Sequence, residues 1–142
     1  KLKKLIKQEN SILKNMDFKF KKLQKINKEN KNKIIKVIKE CSDNGLKIFG
    51  FGASVGTTTL VYDFEINNKI KYIFDNEKKR FNLFMPGTQI KVLNPTKLKK
   101  LNADYIIIFA WRYAQQIITR NKKLFSKKTK FIVPLPKYKI LK

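Results

Sequence analysis

The chain has 142 residues, 42% hydrophobic and including 11 phenylalanines, enough for one domain with an apolar core and too few for two. It carries a formal net charge of +24, a single cysteine (Cys41) and no histidine. These counts exclude a Cys/His zinc site, an intramolecular disulfide and any Ser-His or Cys-His catalytic pair within the chain. The longest apolar run, Ile106–Trp111, is far too short to span a bilayer.

The charge admits two readings. A nucleic-acid or anionic-membrane binder would carry such an excess. Yet the cations are almost all lysine, with arginine only at 80, 112 and 120. Arginine is the preferred residue for bidentate phosphate and base recognition. Richness in Lys, Asn and Ile together also fits a compositional bias spread over solvated faces. A lone cysteine fits a reducing cytoplasm. A first residue of Lys rather than Met points to a fragment or a processed chain.

Residues 1–44 read as a basic helical linker segment, with fourteen lysines and no glycine or proline. Ile34, Val37, Ile38 and Cys41 fall at i, i+3, i+4, i+7, the signature of one buried helical stripe. Asn44-Gly45 supplies the stop. Leu5, Ile6, Ile12, Leu13 and Met16 form a narrower apolar face on another helix further back. The expectation is a linker helix packing onto the following domain, with a membrane-surface amphipathic helix as the alternative.

Residues 45–142 alternate strand and helix signals. Leu46–Phe51 reads as a buried strand, Ser54–Phe64 as a helix and Ile70–Asp75 as a second strand. A loop over Asn76–Gly87 leads to a strand at Gln89–Val92. Pro95 opens a short helix, Thr96–Leu101, ahead of a strongly apolar strand, Tyr105–Ala110. Arg112–Phe125 reads as one helix, and Phe131–Val133 as a final strand closed by Pro134 and Pro136. The pattern predicts an α/β fold: a Rossmann-like parallel sheet of about five strands covered on both faces by helices.

In such a sheet the first strand-to-helix turn is where ligands bind, and here it carries Gly50-Phe51-Gly52-Ala53-Ser54 with Gly56 and Thr57 beyond. Gly50 and Gly52 let backbone approach a ligand closely, and the helix start offers free N–H groups to an anion. The hydroxyls of Ser54, Thr57, Thr58 and Thr59 either donate to that anion or cap the helix. The turn lacks the Walker A spacing, and its third glycine comes one residue late for a dinucleotide fingerprint. The glycines serve equally for tight strand–helix packing. Asp75 stands where a ribose-binding carboxylate belongs, or is an ordinary turn residue, with Asn76 beside it. Arg112, directly after the fourth strand, either clamps a diphosphate or pairs with a carboxylate such as Asp104 or Glu65. Trp111 and Tyr113 offer stacking surfaces, of which one is expected in the core.

Six short motifs occur in one order: Gly50–Ser54, Thr59-Leu60, Phe74-Asp75-Asn76, Pro86-Gly87-Thr88, Phe109-Ala110-Trp111 and Phe131–Pro136. The chain thereby resembles the C-terminal domain of the S-adenosylmethionine-dependent sugar C-methyltransferases, from roughly Phe18 to Lys139. It departs from the family at Phe81-Asn82, where a glycine is usual, and at Arg112, where asparagine is common. The resemblance implies a substrate-side domain that holds a nucleotide-sugar, with no catalytic residue and no metal site of its own. It further implies that S-adenosylmethionine is bound by a methyl-donor domain, and zinc by an N-terminal domain, neither in this chain. Competing readings are an NAD(P)-binding oxidoreductase fragment and a basic nucleic-acid-binding module.

Overall fold

The computed structural model describes residues 2–142. One helix, α1 (Leu2–Asp43), is followed by β1 (Ile48–Phe51), α2 (Val55–Asp63), β2 (Tyr72–Phe74) and β3 (Lys91–Leu93). Then come α3 (Leu98–Leu101), β4 (Tyr105–Ile108), α4 (Ala114–Arg120), β5 (Lys130–Val133) and β6 (Lys139–Leu141). The six strands form a single sheet in the order β3-β2-β1-β4-β5-β6. All neighbours are parallel except β6, which runs antiparallel to β5. This is the Rossmann-like arrangement that the alternating pattern predicts, with the strand order reversing between β1 and β4.

Alternation along the strands builds two cores. Ile107, Ile73 and Ile132 face one layer with Val61 of α2, Phe64 just beyond it, and Ile34 and Ile38 of α1. Phe49, Phe51, Ile106 and Ile108 face the other, with Leu98 of α3 and Ala114 of α4. Gly50 lies at the closest approach within the first layer. A Cβ there would fall 2.7 Å from both Ile73 and the Phe109 ring, so the glycine is needed for packing.

Three expectations are corrected. First, the N-terminal region is one continuous helix of 42 residues, because nothing in it breaks the backbone ladder. It stops at Gly45, whose φ of 65° lies in the left-handed region. Only its last third packs on the domain: residues 2–25 are all exposed, whereas Asn30, Ile34, Ile38 and Cys41 are buried. Lys31 pairs with Glu65 at 2.5 Å beyond the end of α2, and this bond and charge hold the Glu65 carboxyl below the usual range.

Second, Arg112–Phe125 is not one helix. A 3-10 turn over Trp111–Tyr113 precedes α4, and Asn121 ends α4 by donating its side-chain N–H to the Ile117 carbonyl at 2.9 Å. A second 3-10 turn then brings Phe125 edge-on to Phe131, 4.7 Å between ring centres. Third, Phe131–Val133 is not the last strand. The chain reverses after it, and Asn30 of α1 pins the reversal, donating to Pro136 O at 3.1 Å and accepting from Tyr138 N–H at 3.0 Å. The sixth strand, β6, then pairs with the sheet edge. Among the described residues no helix is long and apolar enough to cross a membrane.

Candidate functional site

The carboxyl ends of β1 and β4 are bridged by their loops. Gly52 N–H continues the ladder to Phe74 O at 2.7 Å, and Phe109 N–H to Phe51 O at 2.9 Å. Gly52 has φ 94°, a conformation reserved for glycine, and a Cβ on it would lie 2.8 Å from that of Ala110. The two loops therefore run in contact, and the chain can leave β1 only through this glycine.

Thr57, fully buried, closes the turn. Its hydroxyl donates to Gly52 O at 2.6 Å and accepts from Ser54 N–H at 3.2 Å. With its proton committed to Gly52, it also accepts from the Ser54 hydroxyl at 3.1 Å. The N–H groups of Val55 and Gly56, at the head of α2, have no acceptor among the described residues.

Asp75, buried just beyond β2, ties the turn down from the other side. Its Oδ2 accepts from Ala53 N–H at 2.6 Å and from the Arg80 guanidinium at 3.1 Å, and its Oδ1 accepts from Glu77 N–H at 2.8 Å. Both carboxylate oxygens are thus engaged by the chain itself. Asn76 is exposed.

Between the head of α2 and the β4 loop lies a cleft of about 460 Å³. Ser54, Gly56, Thr59 and Leu60 form one wall, Phe109–Tyr113 the other, and Leu135 closes one end. Arg112 reaches into it with its guanidinium 4.3 Å from the centre of the Trp111 ring, a cation–π contact. It has no carboxylate partner among the described residues. Neither expected partner is engaged with it: Asp104 accepts from Lys47 N–H at 2.8 Å, and Glu65 is held by Lys31. Trp111 packs against the second core while Tyr113 stands 60% exposed. Ala53 and Ser54 also border a smaller hollow of about 280 Å³ with Arg80, Leu83 and Phe84.

The structure therefore brings Ser54, Gly56, Trp111, Arg112 and Tyr113 together around one cleft. Gly50, Gly52 and Thr57 shape the backbone beneath it, Asp75 braces the turn, and Asn76 lines neither hollow. Sequence reasoning missed Leu135 and Arg80. Thr59, one of the hydroxyls singled out at the helix start, lies one turn beyond Gly56 on the same helix face and lines the cleft. Leu135 follows a strand parallel to β4, so its loop must emerge at the same sheet edge, which becomes evident only once strand order is known.

The chain matches the C-methyltransferase C-terminal domain family over residues 1–136. It belongs to that family. The match takes in the exposed part of α1 as well as the sheet. Among curated proteins the chain is similar to the C-methyltransferase NovU of Streptomyces niveus, 24% identical over 109 residues. That alignment covers 76% of this chain and 26% of NovU, so this C-methyltransferase C-terminal domain spans about a quarter of its relative's length.

Proposed function

We propose that this chain is the substrate-side domain of an S-adenosylmethionine-dependent sugar C-methyltransferase, and that its cleft holds the diphosphate of a nucleotide-sugar. The observation that carries the proposal is Arg112: an arginine without a carboxylate partner among the described residues, 4.3 Å from the Trp111 ring centre, opening onto a cleft beside the unpaired N–H groups at the head of α2. A guanidinium offers paired donors in a fixed fork, and a helix N-terminus offers N–H groups and a positive dipole end; both favour a phosphate oxygen. The cleft lies where the strand order reverses, the usual ligand position in open α/β sheets.

The anion sits on the Arg112 side of the turn. On the opposite side the Asp75 carboxylate already takes Ala53 N–H and the Arg80 guanidinium, so neither donor is free for a phosphate there. The same engagement counts against Asp75 as a ribose acceptor, so the residues present do not fit a nucleoside held in the dinucleotide manner. This supports the methyl donor, S-adenosylmethionine, being bound by another part of the full protein, and it weighs against the NAD(P)-binding alternative.

The test is calorimetric titration of the chain with uridine, thymidine and guanosine diphosphate glucoses, with NADH in parallel. Arg112→Ala should weaken binding of the preferred nucleotide-sugar at least tenfold (~1.4 kcal/mol) while leaving the melting temperature nearly unchanged. Equal affinity in variant and parent removes the clamp. A response to NADH alone favours the oxidoreductase reading.

A further inference from the structure

The exposed part of α1 is amphipathic in a way that its own domain does not use. Leu5, Ile6, Leu13, Met16, Phe20 and Leu23 share one face, interrupted by Glu9, and all six are exposed. Lys7, Lys14, Lys21 and Lys28 recur every seven residues along the opposite face. Carried along the helix, the stripe passes the exposed polar Asn27 and continues on the same face into Asn30, Ile34, Ile38 and Cys41, which the domain buries. One continuous seam is therefore covered in its last third and bare in the rest. An isolated helix is marginal in water, so such a seam calls for a partner.

Charge selects the partner. Residues 2–29 hold nine lysines against Glu9, Asp17 and Glu29. A second copy laid along the seam would bring like charges within the ~8–10 Å spacing of packed helices, no farther than the screening length at physiological salt. An apolar groove rimmed by carboxylates would meet the same surface favourably. The family match includes this stretch of helix, and the family is the C-terminal portion of longer enzymes.

We infer that the bare seam of α1 is the docking surface for the portion of the same full-length polypeptide that lies ahead of this C-terminal domain, received in an acidic-rimmed apolar groove. The inference shares with the proposed function the premise that such a portion exists, but it does not depend on what the cleft binds. Failure of the Arg112 titration leaves it standing.

Hydrogen exchange compares the full-length polypeptide with the 142-residue chain. Amides of residues 5–25 should exchange at least 100-fold more slowly in the full-length protein. The double substitution Leu13→Asp with Phe20→Asp should abolish that protection and leave β1 and β4 amides slow, which shows that the domain is still folded. Equal exchange in the two proteins, or protection that survives the double substitution, overturns the inference. Light scattering of the 142-residue chain at increasing concentration should report a monomer; a dimer dissolved by the same substitutions assigns the seam to a second copy instead.

Discussion

Gly52 and Gly56 lie four residues apart in the same turn, yet they answer to different constraints. At Gly52 a side chain meets both a positive φ of 94° and the Ala110 Cβ at 2.8 Å. At Gly56 the nearest atom to an added Cβ is the Ser54 hydroxyl at 3.8 Å, an ordinary contact. Gly52→Ala should therefore cost about 1–3 kcal/mol in urea unfolding, whereas Gly56→Ala should be neutral or stabilise by up to ~1 kcal/mol. Similar losses at both positions would show that the conformation at Gly52 is not what the fold requires. Cys41 gives a residue-scale dependence on pH. Burial first, then the nearby Asp104 and Glu40 charges, pushes its thiol up to about 11. The neutral thiol is the form that the fold favours, so stability is full below the ordinary thiol range and falls as pH rises toward about 11. The loss is bounded at roughly 3 kcal/mol by a gap of about two pH units. Urea midpoints at pH 8 and 10.5 should fall further apart for the parent than for Cys41→Ala; parallel behaviour would refute the assignment.

At the scale of elements, α1 is two things joined by an unbroken backbone. Near its C-terminus it is a core helix: Ile34 is wholly buried against the sheet, and Asn30 holds the β5–β6 reversal through two hydrogen bonds. Near its N-terminus it touches nothing in its own domain. Ile34→Ala should cost about 2–5 kcal/mol through the cavity it leaves, and Leu13→Ala should stay within ~0.5 kcal/mol. Chemical denaturation of the two variants in the 142-residue chain measures both. A large effect at Leu13 would mean that the helix folds back on the sheet in solution. The α2 turn shows a comparable division of labour, with the polar atoms of Thr57 and Asp75 engaged by the turn and by Arg80 while Arg112 has no carboxylate partner among the described residues.

For the molecule as a whole, a net charge of +24 meets only four ion pairs among the described residues. Two of these are exposed i,i+4 pairs on α1, worth little. Self-repulsion of the lysines therefore opposes compaction, and salt screens it. Raising sodium chloride from 20 to 500 mM should raise the thermal midpoint, with most of the gain below ~150 mM, where the screening length changes fastest. A midpoint that falls or does not move would indicate that the positive charges are already spaced beyond effective repulsion.

The sequence by itself determined the layers of this protein. A continuous apolar run places Ile106–Ile108 in a buried strand, period-3.6 spacing places Ile34, Ile38 and Cys41 on one helix face, and Gly52 marks the turn at the carboxyl edge of the sheet. These features follow from local sterics and from which side of an element is apolar, so neighbours in sequence are enough to read them. Strand order, the sixth strand and the partners of each charge were decided only by tertiary structure. Lys139–Leu141 becomes a strand because β5 offers it a free edge and Asn30, more than a hundred residues away, turns the chain toward it. Asp75 and Arg112 are a carboxylate and a guanidinium in similar positions after strands, and the sequence treats them alike as candidate ligands. Only the fold engages the first with two backbone N–H groups and the Arg80 guanidinium and leaves the second without a carboxylate partner, because hydrogen-bond partners are fixed by distances in space.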